Sequence, residues 1–210
     1  MLQALKRSGK LIYRINLKKV AQIGAILVWL FLLAGSYGYA IMYSTTPGAR
    51  ETVPKHWPAE TKLKLASPKY TLVTFIHPKC TCSRATLREL CRIVSTCGLK
   101  LQTVVVMLVP QGLPEDWAKG ELYETANQIP GTRVILDMGG QEAKIFNCLT
   151  SGHSLLYNNT GTLLFDGGIT PSRGHEGDNV GKNTIEDLVR NRHSQTKSNQ
   201  VFGCPLRERK

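Results

Sequence analysis

Acidic side chains are missing from the first 43 residues, and basic side chains occur there only up to position 19. Six of the 27 basic residues lie in that stretch: Lys6, Arg7, Lys10, Arg14, Lys18 and Lys19. The other 21 basic residues stand against 15 acidic residues, so half of the formal net charge of +12 belongs to the N-terminus. No basic patch interleaved with aromatic residues follows, which argues against a nucleic-acid partner.

Charge is absent altogether from residues 20–43, a run of 24 mostly apolar positions. A helix needs about 20 apolar residues to cross a bilayer core, whereas the apolar part of a cleaved signal has only about 7–15. The run therefore predicts an uncleaved transmembrane helix. Because the basic side stays in the cytoplasm, residues 44–210 are expected to lie outside it.

Two cysteines lie between a predicted strand and a predicted helix. The segment Tyr70–Ile76 is apolar and β-branched, which predicts a buried strand that Pro78 ends. Ser83 is expected to cap a helix whose apolar residues recur at helical spacing. A helix start favours an anion, and nearby cations act the same way. The basic residues concerned are His77, Lys79 and Arg84. Cys80 and Cys82 are therefore candidates for a reactive thiolate site.

The predicted elements alternate between strand and helix and end in a hairpin and a last helix. Leu101–Val109 is predicted as a second buried strand, and a helix is expected from Pro114 to about Asn127. Right-handed crossovers place the early strands in parallel, with helices on both faces. This order resembles that of thioredoxin-like proteins over residues 60–190. The resemblance implies an α/β fold with a mixed sheet, preceded by one transmembrane helix.

Four separated stretches look like those of the RedB-type membrane proteins, which are thioredoxin-like proteins anchored in bacterial membranes. The stretches are residues 77–85, 150–153, 167–179 and 201–206. The resemblance implies a single-pass protein of the bacterial inner membrane whose C-terminal domain faces the periplasm. The organisation predicted is a basic cytoplasmic segment 1–19, a transmembrane helix 20–43, a stalk 44–61, a thioredoxin-like domain 62–190 and a docking C-terminal tail 191–210.

Several residues of related enzymes are missing here. Thioredoxins carry Cys-x-x-Cys, but Ser83 stands at the place of the second cysteine and Cys82 comes one residue early. His153 stands near the place of the cis-proline that thioredoxins carry before the hairpin. The Pro-x-x-x-Thr/Ser-x-x-Cys context of peroxiredoxins is also absent, since Pro78 is only two residues before Cys80. This argues against a peroxide-reducing enzyme.

The leading hypothesis from the sequence is a membrane-anchored thiol–disulfide oxidoreductase outside the cytoplasm. Cys80 is its predicted nucleophile and Cys82 its predicted resolving thiol, with no cofactor. The expected partners are exported protein thiols or disulfides, a membrane electron donor and the lipid bilayer. A rival is a metal-delivery module, in which both cysteines and one histidine bind Cu(I). The histidines considered are His77, His153 and His175. A non-catalytic interaction domain is the third hypothesis.

The accessory candidates come from several parts of the chain: His77, Ser83, His153, Arg173, His175 and Cys204. The polar loop 167–181 follows a strand predicted to run parallel to the strand before Cys80, so it is expected near the site. Cys204 lies in an apolar stretch of a polar tail, which predicts that the tail docks on the domain. Whether Cys204 then contacts Cys80 is left open by the sequence. Cys91 is expected to be a buried structural residue. Cys97 and Cys148 are structural candidates whose pairing is also open.

Overall fold

The computed structural model describes residues 17–191, 194 and 196–207. The chain divides into two compact units, and the boundary falls between Met42 and Tyr43. Residues 1–16 of the predicted basic segment lie outside the described residues.

The N-terminal unit contributes one long apolar helix, α1 (Leu17–Thr45). Its segment Lys18–Thr45 is long and apolar enough to cross a membrane by length and composition. Its bulky apolar side chains are exposed, with Phe31 reaching 76%. A helix of this kind near the N-terminus serves either as a membrane anchor or as a signal sequence.

The second unit is built on a five-stranded mixed sheet. Its strands are β1 (Tyr70–Ile76), β2 (Leu101–Val109), β3 (Thr132–Met138), β4 (His153–Tyr157) and β5 (Leu163–Gly168). The sheet order is β3-β2-β1-β4-β5. β1, β2 and β3 are parallel, whereas β4 and β5 form an antiparallel hairpin beside β1. This confirms the predicted α/β fold with a mixed sheet.

Helices connect these strands. They are α2 (Ser83–Cys97), α3 (Glu121–Asn127), α4 (Gln141–Ile145) and α5 (Val180–Asn191). The single helix predicted from Pro114 to about Asn127 is wrong: a 3₁₀ turn at Glu115–Trp117 comes first, and α3 starts only after Gly120. Gly120 has an extended backbone with φ −155° and ψ −164°, which interrupts helical geometry at that point.

Alternating side chains of β1 enter two hydrophobic cores, one on each face of the sheet. Leu72 and Ile76 join the core beneath α2 and α5, while Val73 and Phe75 join the opposite core. This second core also includes side chains from the segment predicted as a stalk. Val53 is buried there, so this part of the chain packs on the domain.

The C-terminal tail, residues 196–207, runs along the hairpin edge of the sheet. It accepts hydrogen bonds from the backbone N–H groups of Asp166 and Gly168 in β5. It then crosses to residues 149–151, next to the carboxyl end of β1. Val201 is fully buried in this position.

Candidate active site

Cys80 lies in the turn that joins β1 to α2. Its backbone N–H donates to the carbonyl of His77 (3.0 Å), and its own carbonyl accepts from the N–H of Ser83 (3.0 Å). Cys82 is the last residue before α2 and already has a helical backbone, with φ −64° and ψ −25°. Both cysteines therefore lie between the end of β1 and the first turn of α2, at the carboxyl edge of the sheet. Ligands of α/β proteins bind at this edge.

The helix start differs from the prediction in one residue. Ser83 is the first residue of α2, and the helix begins without a side-chain cap. The Ser83 hydroxyl instead forms a hydrogen bond of 2.8 Å with the hydroxyl of Ser151. The capping role predicted for Ser83 is thus wrong, because a tertiary partner takes up its oxygen.

The Cys80 sulfur is buried and hydrogen-bonded. The side chain is 0% exposed, and the Cys204 N–H donates to Cys80 Sγ at 3.4 Å. Burial by itself raises the pKa of the Cys80 thiol, but hydrogen bonds outweigh burial and hold the pKa below its ordinary value. The donors are the Cys204 thiol, the Cys204 N–H, the Ser83 hydroxyl and the Cys82 backbone. Donors that point at sulfur stabilise the thiolate, which is the nucleophilic form.

The two neighbouring thiols are shifted the other way. Burial, followed by the charge of Cys80, raises the pKa of Cys82. Burial, together with the hydrogen bond to Cys80, raises the pKa of Cys204 to about 12. The site therefore favours one thiolate, on Cys80, with two protonated thiols beside it.

The predicted cations do not supply this stabilisation. Lys79 Nζ lies over the ring of Trp117, 5.4 Å from its centroid, and Arg84 pairs with Glu121 at 2.5 Å. Burial is the main reason why the pKa of His77 is lowered, which favours the neutral ring. Hydrogen-bond donors, first among them the Cys204 thiol, rather than side-chain charges, account for the lowered pKa of Cys80.

Arg173 comes to the site from the loop between β5 and α5. Its Nη1 donates to the carbonyl of Gly203 at 2.5 Å, and its Nε donates to the carbonyl of Thr46 at 3.1 Å. The Arg173 charge lowers the pKa of Cys82 and of Cys204, although burial dominates both. The loop expected near the site from strand direction thus places one charged side chain beside it.

The histidines have other partners. His153 is fully buried and its Nε2 lies 2.5 Å from Asp166 Oδ1. His175 Nδ1 lies 2.8 Å from the carbonyl of Arg173, and His77 Nδ1 accepts from the N–H of Lys79. Within the described residues, no three His, Cys, Asp or Glu side chains lie close enough to hold a metal ion. The Cu(I) site of the rival hypothesis therefore lacks a ligand set in this geometry.

Ser151 is a site residue that the sequence analysis missed. Its hydroxyl accepts from the N–H of His77 (2.8 Å) and pairs with Ser83, while its N–H donates to the carbonyl of Cys204 (2.8 Å). The sequence predicts His153, rather than Ser151, as the functional residue of the stretch 150–153. The available signal was the start of the predicted strand at His153. His153 pairs with Phe75 inside the sheet, whereas Ser151 precedes the strand and lies at its edge.

Two of the solved structures that match this chain, with TM-scores of 0.55, support the α/β fold. No family model matches the chain, and no curated protein matches it. A hypothetical protein from Sinorhizobium meliloti 1021 matches with TM-score 0.55 and 18% identity, covering 78% of this chain and 94% of that one. An uncharacterized conserved protein from Geobacillus kaustophilus has TM-score 0.55 and 14% identity, covering 78% and 93%. A secreted Mycobacterium tuberculosis disulfide oxidoreductase has TM-score 0.40 and 12% identity, covering 58% and 81%.

The fold is thioredoxin-like. The hairpin β4–β5 pairs antiparallel with β1, β2 lies parallel on its other side, and Cys80 stands between β1 and the helix that follows. The site contains the buried, hydrogen-bonded sulfur of Cys80, whose pKa is lowered. It also contains two thiols, on Cys82 and Cys204, whose pKa values the charge of Cys80 raises. Such a sulfur can attack a disulfide, and a neighbouring thiol can then displace the product.

Proposed function

We propose that this chain is a membrane-anchored thiol–disulfide oxidoreductase that works outside the cytoplasm, with Cys80 as its nucleophile. The observation that carries the proposal is the environment of Cys80 Sγ. This sulfur is fully buried, yet donors from Cys204, Ser83 and Cys82 keep the pKa of the thiol below its ordinary value. A buried structural cysteine in an apolar setting shows the opposite shift.

The anchoring part of the proposal rests on α1. This helix is long and apolar enough to cross a membrane, and the six basic residues of the first 19 positions favour the cytoplasmic side for its N-terminus. The domain then faces the periplasm of a bacterial cell, as in the RedB-type proteins that the sequence resembles. Its partners are exported protein thiols or disulfides and a membrane electron donor.

A second thiol must complete the reaction. Cys82 is the resolving thiol predicted from the sequence, and it remains a prediction. Burial, the charge of Cys80 and a hydrogen bond to Cys80 raise the pKa of Cys82, so this thiol is protonated and lies beside the nucleophile. Two protonated thiols, on Cys82 and Cys204, therefore compete for this step.

The oxidoreductase proposal can be tested on the full chain in detergent micelles. The reduced protein is mixed with oxidised glutathione, and the glutathione released is measured. We expect Cys80→Ser to lower the rate by about a hundredfold or more, because the activated nucleophile is lost. Cys91→Ser is the matched control, since Cys91 is another free cysteine, which lies within α2 rather than in the turn before it. A parent protein that releases no glutathione, or a Cys80→Ser protein that equals it, would sink the proposal.

The location can be tested separately. A reporter enzyme that is active only outside the cytoplasm is fused after Lys210. We expect activity in cells that express the fusion, because the positive charges keep the N-terminus inside. Activity of a cytoplasm-only reporter at the same position would contradict the proposed topology.

A further inference from the structure

The C-terminal tail pairs with residues 149–151 beside the active site through an isolated antiparallel bridge. Ser151 N–H donates to the carbonyl of Cys204 (2.8 Å), and Leu206 N–H donates to the carbonyl of Leu149 (2.7 Å). An antiparallel bridge joins Thr150 to the tail at Pro205. This pairing places the backbone of Cys204 directly on Cys80.

Contacts on both sides of Cys204 hold the tail in register. On one side, the Gly203 carbonyl accepts from Arg173, and on the other side Leu206 is buried in the second core. Gly203 has no room for a side chain, because a Cβ would lie 2.0 Å from the carbonyl oxygen of Ser151. Close backbone approach of this kind is a reason for glycine.

The contact between Cys204 and Cys80 involves both backbone and side chain. The Cys204 N–H donates to Cys80 Sγ at 3.4 Å, and the Cys204 thiol is a second donor to the same sulfur. The two cysteines are therefore in direct contact although they are 124 positions apart in the chain.

On the basis of the function proposed above, we propose that Cys204 is the resolving thiol of Cys80 and that oxidation forms a Cys80–Cys204 disulfide. The geometry of the turn explains why Cys204 is better placed than Cys82. Ser83 N–H bonds to Cys80 and Arg84 N–H bonds to Thr81, so the turn has helical character. The Cys82 thiol also hydrogen-bonds to Cys80, but a disulfide between residues two apart would have to span a turn that these backbone bonds hold closed. A Cys80–Cys82 bond would require this turn to open, whereas Cys204 approaches from a separate segment.

The reaction has two exchange steps. First, the Cys80 thiolate attacks a substrate disulfide, so that one substrate sulfur becomes bonded to Cys80 and the other leaves as a thiolate. Second, Cys204 loses its proton and attacks Cys80 Sγ, and the remaining substrate sulfur leaves and takes up a proton. Two electrons pass from the protein dithiol to the substrate, and an external dithiol reductant restores the reduced state by the reverse exchange.

The charge of Cys80 controls the timing of the second step. After burial, the hydrogen bond to Cys80 and its charge are the main reasons why the pKa of Cys204 is raised to about 12. A mixed disulfide removes the charge of Cys80, and only burial and Cys82 then oppose ionisation of Cys204. Arg173, which favours the Cys204 thiolate, remains in place. Cys204 therefore becomes easier to deprotonate at the stage when it must attack.

The tail also governs access to Cys80. Cys80 is 0% exposed, and Cys204 covers one side of its sulfur. A cavity of about 520 Å³ lies on the outer side of Cys204, lined by Gly48, Leu149 and Arg173 among others. Access to Cys80 requires a movement that uncovers its sulfur. Displacement of the tail from Ser151 would provide it, and return of the tail would bring Cys204 back to the mixed disulfide.

The test compares two single variants of the full chain in detergent micelles, Cys204→Ser and Cys82→Ser. Each reduced protein is treated with oxidised glutathione, and the glutathione adduct on Cys80 and all internal disulfides are mapped by mass spectrometry. We expect Cys204→Ser to accumulate about tenfold more adduct than the parent, because resolution is lost. Cys82→Ser should accumulate less adduct than Cys204→Ser and should contain the 80–204 disulfide. Serine at 204 keeps the N–H that donates to Cys80.

A second variant tests docking while every thiol is kept. Gly203→Ala forces a shift of the tail, so we expect it to accumulate adduct as Cys204→Ser does. Gly120→Ala is the control, since nothing lies within 4 Å of the position of its Cβ. The inference would be overturned if Cys204→Ser or Gly203→Ala reduced glutathione disulfide without accumulating the adduct on Cys80. It would also be overturned if Cys82→Ser accumulated as much adduct as Cys204→Ser. A parent that forms neither adduct nor disulfide would instead sink the proposed function.

Discussion

Cys80 and Cys148 are both fully buried, but they lie in opposite electrostatic settings. Cys148 follows α4 in the second hydrophobic core, where its thiol lies 3.7 Å from the carbonyl of Phe146 as a weak donor. Burial raises the pKa of Cys148 well above the ordinary thiol value. Cys80 lies at the end of β1, where four hydrogen-bond donors reverse the effect of burial and lower the pKa.

The difference teaches that burial alone does not decide whether a cysteine is reactive. Desolvation disfavours the thiolate at both positions, but only Cys80 has N–H and hydroxyl groups aimed at its sulfur. Cys97 behaves like Cys148, since burial raises its pKa to about 11. We therefore expect sulfur chemistry at the edge of the sheet and structural roles for Cys97 and Cys148.

The largest expected difference between the two thiols is in ionisation. We expect Cys80 to titrate below the ordinary value of 9.0 and Cys148 to stay protonated until far higher pH. Each unit of pKa is a factor of about ten in thiolate at neutral pH. The ultraviolet absorbance of thiolate, followed against pH in the parent, in Cys80→Ser and in Cys148→Ala, measures this. A neutral-pH thiolate signal that survives Cys80→Ser would break the comparison.

The next effect concerns stability in the second core. Cys148→Ser places a hydroxyl among apolar side chains, and we expect the free energy of unfolding to fall by about 1–3 kcal/mol. Urea unfolding in micelles can be followed by the fluorescence of Trp57, which packs on Phe146 with ring centroids 5.5 Å apart. Cys80→Ser should lower the free energy of unfolding by less, because hydrogen-bond donors already surround that position. Equal losses of unfolding free energy in Cys80→Ser and Cys148→Ser would show that the two side chains lie in equally polar surroundings.

The two thiols should also give stability opposite dependences on pH. The lowered pKa of Cys80 adds stability that is full above the unfolded thiol value and is lost as pH falls through the folded pKa. The raised pKa of Cys148 adds stability that is full below the unfolded value and is lost as pH rises above it. We expect slopes of at most about 1.4 kcal/mol per pH unit in the differences between the parent and each variant. Slopes of the same sign would refute this assignment.

The smallest expected effect is the loss of one of the hydrogen-bond donors to Cys80. Ser83→Ala removes one hydroxyl from the group that lowers the pKa of Cys80. One hydrogen bond is worth about 1 kcal/mol, so we expect the pKa of Cys80 to rise by less than about one unit. The same titration measures it, with Ser95→Ala on α2 as the control, since Ser95 bonds only to the carbonyl of Cys91 in the described contacts. A fall of the pKa would contradict the role given to Ser83.

Much of the fold follows from local pattern. The apolar segments 70–76 and 101–109 are β1 and β2 with the same bounds as predicted. The placement of Cys80 between a strand and a helix also follows, because Pro78 ends one pattern and helical spacing starts the next. The helix expected at Pro114 failed because Gly120 interrupts it, and the cap expected at Ser83 failed because Ser151 binds its hydroxyl. In both cases one residue or one distant contact overrode the local preference.

The sequence by itself determined the α/β order, the long apolar helix and the position of two cysteines at a helix start. These features depend on periodicity and on the chemistry of neighbouring residues, which are visible in a linear chain. Only the tertiary structure decided what surrounds Cys80. Cys204 is 124 positions away and is brought there by backbone bonds to Ser151, by Arg173 and by the closeness that Gly203 permits. The sequence names Cys204 as an accessory candidate and leaves its contact with Cys80 open. Backbone hydrogen bonds between distant segments have no side-chain pattern, so only the folded chain shows that contact.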